Sequence, residues 1–311
     1  MTKTSHTLAQ DAEDLPIWTE VIPEEAMHHS FVMDGLLATA SLHFAYQHPH
    51  SRPQYIAHAI HYQNSGLQRY NDALGDINEH KSSALFAYSV MLNMMAIAFP
   101  NADPKSPPSA HTAGIITMID LVRGISLVKS SVIPLIRHNN FAPFFRPVPT
   151  CPRPDHEAEA AMEGLRKRAD GLLASESVDN ERHAAYHAGI NILENVFAST
   201  TVSSRIAPIV AWPALLWPEE HRQQLMRLFK QGDVMAQAIF MHYGVLLLHI
   251  RHRWWGENTG LSLIEELSTS VRAAGPTWAS EADWPRKVAR RILEADQAVE
   301  NSHNSFSGNP G

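Results

Sequence analysis

The chain has one cysteine in 311 residues. Cys151 alone excludes a disulfide framework and a cysteine-rich zinc cluster, and it lies in a proline-rich loop without a placed base. Charged residues make up only 18%, too few for a disordered chain or a coiled coil. No glycine-rich phosphate loop, dinucleotide fingerprint, GxSxG elbow or HExxH pattern occurs, so nucleotide, covalent-hydrolase and zinc-protease chemistry lack their usual signatures. A net charge of −7 and a pI near 6.2 argue against a basic nucleic-acid face. The short basic clusters, Arg166-Lys167-Arg168, Arg251 with Arg253, and Arg286-Lys287 with Arg290-Arg291, read as solvated helix faces. No segment supplies the roughly 20 uninterrupted apolar residues of a membrane span. The start, MTKTSHTLAQDAEDLP, has neither an apolar core nor an arginine, so it reads as neither a secretory signal nor a mitochondrial presequence. The expected location is intracellular.

What is present is apolar helix. Hydrophobic residues are 44%, enough for one large core, and almost no strand alternation occurs. Helices are expected over Glu24–Gln47, Gln54–Gly75, from Asn78 to Phe99, Ala113–Lys129, Asp155–Ala174, from Asp179 or Asn180 to Ser199, from Pro218, over Leu261–Ala273 and from Trp284-Pro285 to Glu300. The prolines of 100–111 and 130–154 mark irregular stretches. The expectation is an all-α protein: one large domain of about ten to twelve helices over residues 15–300, between polar, mobile tails at 1–14 and 301–311.

The stretch Asp233–Trp255 organises the rest. Met235, Ile239, His242, Leu246 and His249 recur at helical steps and share a face, with Ala238, Met241, Val245 and Leu248 beside them. Such a helix runs through the centre of a fold. Its polar members either fill the core with locally satisfied groups or line a pocket. Histidine pairs at three-residue spacing, His58 with His61 and His249 with His252, lack a third ligand, so no metal site is expected. Asp34 and Asp120 lie in apolar helices and read as acids bonded to a neighbouring helix end or to Arg123.

Several blocks, in order, resemble the C-terminal regulatory domain of fungal zinc-cluster transcription factors of the sterol-uptake-control type. They are FVMDGLLATASLHFA (31–45, with His43 at the family's histidine), AIHYQNSGLQRY (59–70), INEHKSSALFAYSVM (77–91), LVRGI (121–125), AWPALLWPEE (211–220), MAQAIFMHYGVLLL (235–248), WWGEN (254–258) and Trp284-Pro285. The resemblance implies an all-α domain that holds a hydrophobic ligand, a sterol in some members, in an internal pocket and can form homodimers. The family's six-cysteine DNA-binding cluster has no counterpart here, so no direct nucleic-acid binding is expected, and the chain reads as a stand-alone version of the domain.

That resemblance supports two functions. A pocket without a conventional catalytic set suits cofactor-independent cyclisation of a terpenoid or polyketide, for example a Diels–Alder closure, by orientation and hydrogen-bond polarisation. The alternative is a ligand-sensing regulatory domain, nuclear or cytoplasmic. In either case His242 and Tyr243 are the candidate donors to a substrate carbonyl. Trp212, Met235, Ile239, Leu246, His249, Trp254 and Trp255 are the candidate pocket wall, and no cofactor or metal is called for.

Overall fold

The structure, a computed structural model, describes residues 2–136, 139–146, 153–203, 205–207, 209–210 and 219–307. Among the described residues there is no strand, and thirteen α-helices carry the fold. They are α1 Thr2–Leu8, α2 Ile22–His28, α3 Ser30–Gln47, α4 Arg52–Leu74, α5 Glu79–Ala102, α6 Pro108–Ile136, α7 His156–Ala174, α8 Asn180–Thr200, α9 Glu219–Lys230, α10 Val234–Leu247, α11 Thr259–Ala273, α12 Pro276–Ala279 and α13 Asp283–Ser307. The all-α expectation holds.

Local chemistry sets most boundaries. Asn78, Asp155, Asp179 and Asp233 each accept a backbone N–H from the first turn of the helix they precede. The single helix expected over Glu24–Gln47 is two, because His29 adopts an extended conformation (φ −129°, ψ 106°) between α2 and α3. Two prolines expected to lie in irregular chain lie inside helices instead, Pro100 in α5 and Pro134 in α6. The central helix is shorter than expected. α10 ends at Leu247, and a 3₁₀ turn, Leu248–Ile250, leads into turns through Asn258.

The helices form two packed groups. α3 lies along α4 and α5, and α5 along α6; α10 is covered by α8, α9, α11 and α13, while α7 pairs with α8. The groups meet where α11 packs on α6 and α5. One large core results, with members from Leu8 to Ala289, and Val132 and Ile136 of α6 form a small satellite to it. α5 is long and apolar enough to cross a membrane, yet 72% of its most apolar window is buried inside the fold.

The residues expected as an N-terminal tail are packed instead. α1 is a docked helix, Leu8 is in the core, and Asp14 is fully buried. At the other end α13 continues to Ser307, seven residues beyond the expected end, and 308–311 lie outside the described residues.

Candidate functional site

Every residue of α10 except Val234 and Gln237 is buried. Met235, Ile239 and Leu246 are core residues, and the backbone of α11 comes close enough that a Cβ on Gly260 would lie 2.8 Å from the Gly244 carbonyl oxygen. His242 Nδ1 bonds the Ala238 carbonyl oxygen at 2.8 Å, so that nitrogen carries the proton. The ring stacks on Trp284, centroids 5.4 Å apart, and burial pushes the His242 pKa down to about 4. The imidazole is therefore neutral near neutrality. The Tyr243 hydroxyl donates to the Ile209 carbonyl oxygen at 3.0 Å, and burial raises its pKa far above the usual phenol value. The protein's own carbonyls thus engage both candidate donors.

The other expected wall residues divide. Trp255 is buried, and its indole Nε1 has no hydrogen-bond partner among the described residues. His249 is exposed, not on the buried face with His242, because the 3₁₀ turn after Leu247 changes the rotation per residue. Trp212 lies outside the described residues, as does Cys151.

Trp254 belongs to a second constellation that sequence reasoning missed. Its ring stacks on His43 at 4.8 Å, with Tyr46 at 6.3 Å. α1 and the chain after it cover this stack. Trp254 Nε1 donates to Thr7 Oγ1 at 2.9 Å, and His43 Nδ1 bonds Thr4 Oγ1 at 3.0 Å. The Gln47 amide lies 3.0 Å from His43 Nε2 and can donate to it, which puts the His43 proton on Nδ1. Burial lowers the His43 pKa. Arg253 donates to the carbonyl oxygens of Thr7 (3.2 Å) and Ala9 (2.6 Å), and Gln10 Oε1 accepts from the backbone of Ile206 and Ala207. Asp14 accepts from Arg146 at 2.9 Å. The result is an aromatic platform closed by a segment that long-range polar bonds hold down.

Asn101, also missed, ties α5 to the turn after α10. Its amide donates to the Trp255 carbonyl oxygen (3.0 Å) and Thr259 Oγ1 (2.8 Å), and its oxygen accepts from Asn258 N–H (2.8 Å). A buried asparagine with these partners fixes the position of the Trp254-Trp255 pair relative to α5.

Residues 12–145 match the fungal specific transcription factor domain. The family resemblance read from the motifs is borne out. A curated relative, sterol uptake control protein 2 of Candida albicans, is 26% identical over 251 residues, which cover 75% of this chain. That likeness is longer than the domain match, so it reaches into the helices beyond residue 145. The chain spans 33% of the length of that relative. His43, Tyr46 and Asn101 lie inside the matched transcription factor domain, and Trp254 lies beyond it.

Many of the charges singled out in the sequence have structural partners. Asp34 pairs with Arg69, and Asp120 is exposed and bonds Lys230 at 2.6 Å, while the Arg123 side chain lies outside the described residues. In the basic clusters, Arg166 pairs with Glu194, Arg168 with Glu281, Arg251 with Asp296, and Lys287 and Arg291 with Glu157.

Proposed function

We propose that this chain is the effector-binding region of a fungal transcription regulator and that its effector is a hydrophobic molecule of the sterol class. The reading rests on the match of residues 12–145 to the fungal specific transcription factor domain, and the likeness to a sterol uptake control protein supplies the effector class. On this reading the region works in the nucleus, and contact with DNA belongs to another segment or partner. The effector's place is the seam between the His43–Trp254 platform and the N-terminal segment. Aromatic rings with a few polar groups suit an apolar ligand, and displacing α1, which brings Leu8 alone into the core, leaves the rest of the core in place. Cyclisation by His242 and Tyr243 has no comparable support, since both polar tips bond backbone carbonyls.

Titrating the full chain with dehydroergosterol, a fluorescent sterol, and following energy transfer from tryptophan tests the proposal. Saturable transfer that unlabelled ergosterol reverses is the expected result. A cooperatively folded chain that gives no saturable transfer overturns the sterol reading.

A further inference from the structure

On the outer side of the α7–α8 hairpin, His183 and His187 stand one helical turn apart on α8, facing Asp170 of α7. His183 Nε2 lies 2.8 Å and His187 Nε2 lies 2.9 Å from the same oxygen, Asp170 Oδ1. The two rings are 4.3 Å apart between centroids, and the three ligand atoms fall within 4.8 Å of one another. The carboxylate is open to solvent and both imidazoles are partly exposed, so an ion has a way in.

We propose that Asp170, His183 and His187 form a zinc site, with three protein ligands and water in the fourth position. Two histidines at i and i+4 present both rings to one point, and a carboxylate from the facing helix completes a set of N and O donors that suits Zn²⁺ better than Mg²⁺. Around a tetrahedral zinc with bonds of about 2.0–2.1 Å, ligand atoms sit about 3.3–3.4 Å apart. The two Nε2–Oδ1 separations must widen by about half an ångström, a rotamer adjustment on side chains that reach solvent. Each Nε2 now donates its proton to Asp170. For metal binding that proton moves to Nδ1 of the same ring, which leaves the Nε2 lone pair for the ion and the net charge of the ring unchanged.

The site links two helices and reaches the central one. Tyr186, beside His187 but on the buried face of α8, donates to Asp233 Oδ2 at 2.9 Å. The other oxygen of Asp233 caps the first turn of α10 through Ala236 N–H. An ion holding α7 to α8 therefore stiffens the helix that anchors the N-cap of α10. This inference does not depend on the sterol reading.

Titration of the chelator-treated full chain with zinc chloride by calorimetry, with Co²⁺ as a visible-absorption probe, tests it. The native chain is expected to bind one equivalent at this site, with a Co²⁺ spectrum of tetrahedral type. It should also melt at a higher temperature with zinc but not with magnesium. His183→Ala combined with His187→Ala should weaken that binding by about tenfold or more and abolish the spectrum, and Asp170→Asn should weaken it less. Unchanged circular dichroism shows that the variants remain folded, and Asp170→Asn stands in if the double variant does not. No binding by the native chain, or an unchanged isotherm and spectrum in the variants, overturns the site. The second result assigns the metal to other histidines.

Discussion

At the scale of single residues, close backbone approach decides more than side-chain chemistry does. Gly260 opens α11 against α10, and a Cβ there would meet the Gly244 carbonyl oxygen at 2.8 Å and Leu248 N at 2.8 Å. Both are backbone atoms that cannot rotate away. Gly164, inside α7, has nothing within 4 Å of the same added atom. Alanine has the higher helix propensity by about 1 kcal/mol, so the two positions should respond with opposite signs. Gly164→Ala should raise stability by about 0.5–1 kcal/mol. Gly260→Ala should lower it by about 1–3 kcal/mol, because overpacking outweighs propensity. Urea midpoints measure both. A stabilised Gly260→Ala would mean that α10 and α11 are further apart than described.

At the scale of elements, legibility followed the range of the interactions. Helices with capping acids or amides were readable because the cap and the turn it satisfies are three residues apart. α1 was not readable. Its partners, His43, Arg253 and Trp254, are far along the chain, and its threonines look like those of any polar tail. The same reason hid the proposed zinc ligands: the His183–His187 spacing is local, whereas Asp170 joins them only through the hairpin. Pro100 and Pro134 read as helix breakers by local rule, but α5 runs on past Pro100 to a residue, Asn101, that long-range hydrogen bonds hold. The docking of the N-terminal segment carries its own pH signature. Burial first, then the nearby Asp11 charge, raise the Asp14 pKa to about 6 against the opposing pull of Arg205. One of its oxygens, Oδ2, has no hydrogen-bond partner among the described residues. The folded state thus holds this proton more tightly than the unfolded chain does. The resulting stability is fully present below about pH 4 and is lost as pH rises through about 6, so near pH 7 the ionised group costs about 1–3 kcal/mol, with the Arg146 contact offsetting part of the burial penalty. Asp14→Asn should therefore exceed the native chain in stability at neutral pH by up to about that amount, and the gap should close near pH 4. Urea unfolding at intervals across this range checks it. A variant less stable at neutral pH would show that the Arg146 pairing outweighs the burial of the charge.

At the scale of the molecule, the boundary of the family match is not a boundary of the fold. Residues 12–145 end after α6 and a 3₁₀ turn, yet the helices and turns beyond residue 145 complete their buried surfaces. α11 covers α6 and α5, Thr112 bonds Glu266, and Asn101 satisfies three groups between Trp255 and Thr259. His43 loses its stacking partner without Trp254, and the carbonyl oxygen of Pro143 loses the Arg205 guanidinium. The long, mostly buried α5 would then expose core side chains and leave Asn101 with unmet hydrogen bonds, each costing about 1–3 kcal/mol where the group stays buried. A domain whose net stability is about 5–15 kcal/mol does not survive several such losses. A chain cut to residues 12–145 is expected to keep helical circular dichroism but lose near-ultraviolet ellipticity, bind a hydrophobic dye and unfold without a cooperative transition. The full chain, with one large core from Leu8 to Ala289, is expected to unfold cooperatively. A cooperative transition with native near-ultraviolet signal in the fragment would divide the molecule at residue 145. Motif order, which runs through both halves, would then reflect two domains in series and not one shared core.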